Sequence, residues 1–137
     1  MSYLVDANVL SEGTQPSPEP RVLAWLETHE DELFLSAVTV GELQRGIALY
    51  PVSRKRAALE RWLKELLESF EARILPVDRA VALEWGRYYA AQQQIGRRPP
   101  TLDSLVAATA RVHALTVASR NAADFADLPS VNPWEEG

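Results

Sequence analysis

Residues 3–12 read YLVDANVLSE, a short apolar run that stops at a carboxylate. The side chains of Tyr3, Leu4 and Val5 suit a buried strand, and an acid at the carboxyl end of such a strand costs folding free energy unless something pairs with it. The edge where parallel strands end is also where α/β sheets bind their ligands. Asp6 is therefore the first candidate for a functional site, since nothing in the local sequence gives it a structural role.

The composition limits the metals that the chain can bind. It has 137 residues, which fit a single domain spanning residues 1–137, and it contains no cysteine. Disulfides and thiolate zinc sites are thereby excluded, and His29 and His113 have no acid or cysteine partner at metal-binding spacing. A metal would have to be held mainly by oxygen atoms, which favours Mg²⁺ or Mn²⁺ over zinc.

The charge and hydropathy patterns of the sequence predict where the protein is located and whether it binds membranes or nucleic acid. The N-terminus lacks the basic region and long apolar core of a secretion signal, and no segment has the length of a membrane span, so we expect a cytoplasmic protein without a membrane partner. The formal net charge of −5 argues against a surface that binds nucleic acid everywhere. It does not exclude a local basic rim around an acidic pocket.

Predicted strands alternate with predicted helices along the chain, which indicates an α/β/α sandwich around a central, mostly parallel sheet of four to five short strands. We find no internal repeat, low-complexity tract or domain linker. The predicted strands are 4–5, 33–36, 74–77, 115–118 and, less regularly, 130–132. The predicted helices are a short one from about residue 9, then 21–29, 39–50, 54–71, 79–94 and one that begins at Thr101.

Four acids need to be weighed separately. An acid in the first turn of a helix, as at Asp103, is stabilised by the helix dipole by ~0.3–1 kcal/mol without any function. Glu42 could pair with Arg45 on the helix surface, and Asp124 could close a polar turn through its own backbone. Taken singly, these three acids are more often structural than catalytic. Only Asp6 lacks such an explanation.

Taken together, the acids point to a cation site. Asp6 and Asp124 follow strands, and Glu42 and Asp103 lie on helices that could flank the same edge of the sheet. Carboxylates gathered there would repel one another unless a divalent cation joined them. Such a cation can bind a phosphate oxygen and activate a water molecule for attack on phosphorus. Magnesium often uses only one or two direct carboxylates, so some of the four acids would act through water.

The chain resembles a PIN domain of the VapC and FitB-like toxin branch, over nearly its whole length. Any one of the matching motifs is weak, but four in order at suitable separations are specific. They are LVDANVLS (4–11), ELQRG (42–46), DSLVAATA (103–110) and SRNAADF (119–125). The resemblance implies a Mg²⁺- or Mn²⁺-dependent endoribonuclease that leaves a 5′-phosphate and a 3′-hydroxyl. It also implies a homodimer that is the toxin of a type II toxin–antitoxin pair, inhibited by a cognate antitoxin encoded beside it.

The resemblance also implies roles for individual positions. Asp6 and Asp103 match the acids that act as direct metal ligands. Glu42 and Asp124 match the acids that complete the catalytic pocket. Two polar positions, Asn8 and Ser119, match residues that help to orient the pocket.

The remaining features leave alternatives open. Arg97, Arg98 and Arg120 could contact RNA phosphates, or they could be solvated loop residues. The stripe around Trp62 could be core or a groove for an antitoxin helix, and Trp85 could be core or dimer interface. At the level of function, the alternative to an active ribonuclease is a weakly active or inactive binding module. Such a module would work in a complex whose antitoxin contacts operator DNA, which agrees with the negative charge of this chain.

Overall fold

The computed structural model describes residues 1–125 and 127–135, in which short strands alternate with helices. The fold is the expected α/β sandwich. Its strands are β1 (Tyr3–Val5), β2 (Leu33–Ser36), β3 (Ile74–Leu75), β4 (Thr116–Ala118) and β5 (Ser130–Val131). Its helices are α1 (Ala7–Leu10), α2 (Pro20–Thr28), α3 (Ala37–Ala48), α4 (Arg54–Ser69), α5 (Arg79–Gln94) and α6 (Thr101–His113).

The five strands form one sheet in the order β3-β2-β1-β4-β5, and every neighbouring pair is parallel. The chain builds the sheet outward from β1 to β3 on one side and then returns to β4 and β5 on the other. The connections therefore change direction between β1 and β4. Such a switch point opens a crevice at the carboxyl ends of the strands, where α/β sheets bind ligands.

The alternation of side chains along β1 explains the two packed faces of the sheet. Tyr3 and Val5 face one side and Leu4 faces the other, as a period of two requires. The face of Tyr3 and Val5 is covered by α2, α3 and α4, through buried residues that include Val22, Trp25, Leu43, Ile47 and Leu63. The face of Leu4 is covered by α5 and α6, through Tyr88, Val106, Ala107 and Ala110.

Two predicted boundaries differ from the structure for local reasons. The strand expected at 74–77 ends at Leu75, because Pro76 has no backbone N–H to continue the ladder. The helix expected from Thr39 begins at Ala37, because the Ser36 hydroxyl accepts a hydrogen bond from the Val38 N–H and caps the helix. Because of this cap, α3 begins directly after β2.

Trp62 and Trp85, for which the sequence left core and interface roles open, both contact other residues of their own chain. Trp62 is partly buried against the core between the sheet and α4, but Leu63 is the one residue of α4 that is fully buried in the described structure. Trp85 donates a hydrogen bond from its indole N–H to the Ser104 hydroxyl (2.8 Å), which joins α5 to α6. Within the described residues, no helix is long and apolar enough to cross a membrane.

Candidate metal centre

Asp6 lies at the carboxyl end of β1, the central strand, and is 6% exposed. Its Oδ1 accepts a hydrogen bond from the Ala7 N–H (2.9 Å) and caps α1, so the expectation that Asp6 has no local structural role was wrong. Its Oδ2 accepts a hydrogen bond from the Ser119 hydroxyl (2.8 Å), which follows β4 across the switch point. These bonds compensate for the burial of the carboxylate and fix its orientation.

Asn8 and Ser119 hold each other in place beside Asp6. The Asn8 amide donates to the Ser119 oxygen (3.3 Å), and the Asn121 N–H donates to the same oxygen (3.0 Å). The side-chain Oδ1 of Asn8 accepts from the backbone N–H of Arg120 (3.1 Å). We call Asp6, Asn8 and Ser119 the strand half of the site, and its polar groups are bonded to one another before any ligand binds.

Glu42 lies on α3 and faces the same crevice, but its surroundings differ. Its Oε1 atom is buried and has no hydrogen-bond partner among the described residues. Burial raises the pKa of Glu42, and the negative charges of Asp6 and Asp103 raise it further, while the charge of Arg45 lowers it. No ion pair joins Glu42 to Arg45 among residues 1–125 and 127–135, so the surface pairing considered from sequence does not form.

Asp103 lies in the first turn of α6 and is partly buried. Its pKa is raised first by burial and then by the charges of Asp6 and Asp124. Asp124 lies in a short 3₁₀ turn after β4 and is exposed. We call Glu42 and Asp103 the helix half of the site. The four acids predicted from sequence are thus brought into electrostatic contact, with Asp124 at the rim.

The donor set fits a hard cation that keeps part of its hydration shell. All the candidate ligands are carboxylate oxygens, and the buried Glu42 Oε1 has no hydrogen-bond donor among the described residues. Within the described part of the chain, no group of three or more His, Cys, Asp or Glu side chains is close enough to hold a metal ion directly. Magnesium is commonly bound by one or two carboxylates and several waters, so oxygen ligands of this kind suit Mg²⁺ or Mn²⁺ with a partial hydration shell, and the described residues form no closed cage of side chains.

The three arginines considered from sequence lie around the site. Arg97 and Arg98 precede α6 and line a cavity of about 490 Å³ that is also lined by Asp103 and Asp124. Arg120 is exposed and directly follows Ser119. The structure thus places the exposed cations Arg97 and Arg98 in one cavity with Asp103 and Asp124, although the net charge of the chain is negative.

Sequence reasoning missed two residues near these groups. Thr39 lies one turn before Glu42 on α3 and is fully buried, and its hydroxyl has no partner among the described residues. Trp134 lies far along the chain, yet its ring is next to the Arg120 guanidinium. The i,i+3 spacing from Glu42 could have identified Thr39. No local pattern could have identified Trp134, because its contact depends on the folded C-terminal segment.

An oxygen-only acid cluster at the switch point of a parallel sheet defines a candidate divalent-cation centre. The chain belongs to the PIN-domain family, whose model matches residues 3–130. It is 39% identical to the toxin FitB of Neisseria gonorrhoeae (97% of this chain, 99% of that protein). It is 35% identical to the VapC ribonuclease Y4jK of Sinorhizobium fredii (96% of this chain, 97% of that protein).

A solved structure of FitAB bound to an IR36 DNA fragment contains a chain that superimposes on this one with a TM-score of 0.92. The two chains are 36% identical, and the match covers 98% of this chain and 97% of that one. The resemblance to PIN domains of the VapC and FitB branch is therefore confirmed, and so is the fold class. The structural neighbours of this chain are toxin–antitoxin complexes.

Proposed function

We propose that this protein is a divalent-metal-dependent endoribonuclease, the toxin of a type II toxin–antitoxin pair. The observation that carries the proposal is the half-buried Glu42, one of whose carboxylate oxygens is buried without a hydrogen-bond partner, in the field of Asp6 and Asp103. An ionised carboxylate oxygen without a hydrogen-bond donor costs free energy when it is removed from water, and a bound cation would compensate for that cost. The ribonuclease name of a relative that matches almost the whole chain supports the choice of RNA as substrate.

The residues of the site would have three roles: binding the metal ion, positioning its waters and orienting the Asp6 carboxylate. Asp6 and Asp103 would hold Mg²⁺ or Mn²⁺, and Glu42 and Asp124 would position its waters. When bound, the ion would neutralise charge on the phosphate and increase the acidity of a water molecule. Ser119 and Asn8 would keep the Asp6 carboxylate in one orientation, as outer-shell partners do in metal sites.

The proposal includes the partners of the chain. A cognate antitoxin would inhibit the site, and operator DNA would be contacted through the antitoxin, as the FitAB structure bound to DNA suggests. The formal net charge of −5 supports this proposal, because a negative chain is repelled by DNA and would depend on a partner for the contact. A homodimer and a cytoplasmic location remain predictions.

The test compares Asp6→Asn with Asp78→Asn. Both positions are helix N-caps that accept a backbone hydrogen bond, and asparagine caps helices about as well as aspartate. Purified protein with Mg²⁺ should cleave RNA, Asp6→Asn should abolish cleavage while its melting temperature stays close to that of the wild type, and Asp78→Asn should remain active. Expression of the wild type alone should arrest growth. Full activity of Asp6→Asn, or an inert wild type in both assays, would contradict the proposal and favour an inactive binding module.

A further inference from the structure

The backbone of Arg120 is fixed beside the candidate metal centre from two directions. Its backbone N–H donates to the side-chain Oδ1 of Asn8 (3.1 Å), which links it to the strand half of the site. Its carbonyl accepts a hydrogen bond from the Asn132 amide (3.2 Å), which links it to the segment after β5. The Cα atom of Arg120, from which its side chain extends, therefore has a defined position at the rim.

The Arg120 guanidinium lies over the ring of Trp134, with 4.8 Å between Cζ and the ring centroid. Trp134 is itself held on both sides of its backbone. Its N–H donates to the Asn132 side-chain oxygen (2.9 Å), and its carbonyl accepts from Nη1 of Arg21 on α2 (2.7 Å). The indole is thus a fixed platform for the guanidinium.

Stacking leaves the hydrogen-bonding capacity of the guanidinium unused. The attraction of a cation to a ring face involves no N–H group, so the in-plane donors of Arg120 stay available. Among the described residues, the Arg120 side chain donates no hydrogen bond and forms no ion pair, and the residue is exposed. Such a planar fork of free donors, on a residue whose backbone N–H bonds to Asn8 of the site, matches the bidentate geometry of a phosphate.

A fixed cation at this rim would offset the electrostatic repulsion between the acidic site and RNA. The four carboxylates of the candidate site repel the phosphates of an approaching RNA strand, and the chain as a whole is negative. An arginine on a flexible side chain would lose conformational entropy on binding a phosphate, whereas a stacked one has already lost part of it. Trp134 would therefore increase RNA affinity without touching the RNA.

We propose that Trp134 is a positioning residue that holds Arg120 as a clamp for an RNA phosphate next to the metal centre. This inference rests on the proposed ribonuclease function. It assigns a role in substrate binding to the C-terminal segment 132–134.

The test uses variants that separate the ring from its bulk. Trp134→Leu keeps an apolar side chain without a π face, Trp134→Phe keeps a ring, Arg120→Ala removes the cation, and Arg120→Lys keeps the charge without the fork. Arg61→Ala is the matched control, because Arg61 is an exposed arginine on α4. Cleavage of a single-stranded RNA with Mg²⁺ gives kcat and KM. Binding of the same RNA to each protein without metal gives Kd independently of chemistry.

Trp134→Leu should raise KM and Kd by about two- to fivefold, the range of exposed cation–π contacts, and leave kcat near the wild-type value. Arg120→Ala should raise both constants at least as much and reduce the salt slope of binding by about 0.7, as expected for one phosphate on a single strand. Trp134→Phe should retain most of the affinity, Arg120→Lys should lose part of it, and Arg61→Ala should match the wild type. Combining Trp134→Leu with Arg120→Ala should add nothing to Arg120→Ala alone.

Three outcomes would overturn the clamp. The first is wild-type KM and Kd in Trp134→Leu together with a loss in Arg120→Ala. The second is an equal loss in Trp134→Leu and Trp134→Phe that follows their melting temperatures, which would indicate a structural role. The third is unchanged RNA binding with weaker binding of the antitoxin. Failure of the ribonuclease proposal looks different, because the wild type would then not cleave although the binding measurements still report on the clamp.

Discussion

The two halves of the candidate site differ in how the protein compensates for carboxylates that are removed from water. In the strand half, both oxygens of Asp6 accept hydrogen bonds from the protein, from the Ala7 N–H and the Ser119 hydroxyl. In the helix half, Glu42 has a buried oxygen without a partner, and the pKa of both Glu42 and Asp103 is raised first by burial and then by the neighbouring carboxylates. The carboxylate of the strand half is thus satisfied by the protein itself, whereas the helix half keeps an unpartnered oxygen, which under the proposed function a cation would complete.

Removal of the hydroxyl from the strand half should have the larger effect. In Ser119→Ala, one oxygen of a buried carboxylate loses its donor, so we expect cleavage to fall by roughly 10–100-fold, the usual range for outer-shell partners of metal ligands. The free energy of unfolding should fall by about 1–3 kcal/mol, the cost of an unsatisfied buried group. Initial rates of RNA cleavage and chemical denaturation measure the two effects.

Two variants serve as controls for Ser119→Ala. Ser119→Thr keeps the hydroxyl and should retain most of the cleavage. Ser69→Ala removes an exposed hydroxyl that bonds only to the Leu66 carbonyl, and it should change neither quantity appreciably. Wild-type cleavage in Ser119→Ala would mean that the strand half does not need its internal bonds.

Neutralisation of the helix half should change stability in the other direction. Because the pKa of Glu42 is raised in the folded state, the folded protein binds the proton more tightly than the unfolded chain does. The penalty is therefore absent below the ordinary pKa of 4.5 and appears as the pH rises through the folded value. Glu42→Gln removes the penalty, so without metal its melting temperature should exceed that of the wild type at pH 7, and the gap should close on acidification.

The control for Glu42→Gln is Glu68→Gln, the same change at an exposed position of α4. Its melting temperature should follow that of the wild type at every pH. A Glu42→Gln protein that is less stable than the wild type at pH 7 would mean that the carboxylate is already compensated, and the contrast between the halves would be lost.

The sequence predicted the arrangement of elements well because the determinants are local. Alternating apolar residues, Ser53 and Asp78 as helix caps, and the break at 96–100 all act within a few residues. The approach of the four acids also followed from topology, since the carboxyl ends of parallel strands share one edge. Their individual roles stay predictions.

The features that sequence reasoning missed depend on contacts between distant segments. The bond between Asp6 and Ser119 needs β1 and β4 to be neighbours, and the stack of Arg120 on Trp134 needs the folded C-terminal segment. The unpartnered state of Glu42 depends on how α3 packs against the sheet. None of these has a periodicity or motif that a single sequence displays.

The central claim is that one divalent cation joins the two halves, and calorimetric titration of the protein with Mn²⁺ tests it most directly. The wild type and Asp78→Asn should bind Mn²⁺ with equal affinity, and Asp6→Asn, which changes the strand half, and Asp103→Asn, which changes the helix half, should each bind it much more weakly. Binding that survives both substitutions, or a wild type that binds no Mn²⁺, would contradict the account.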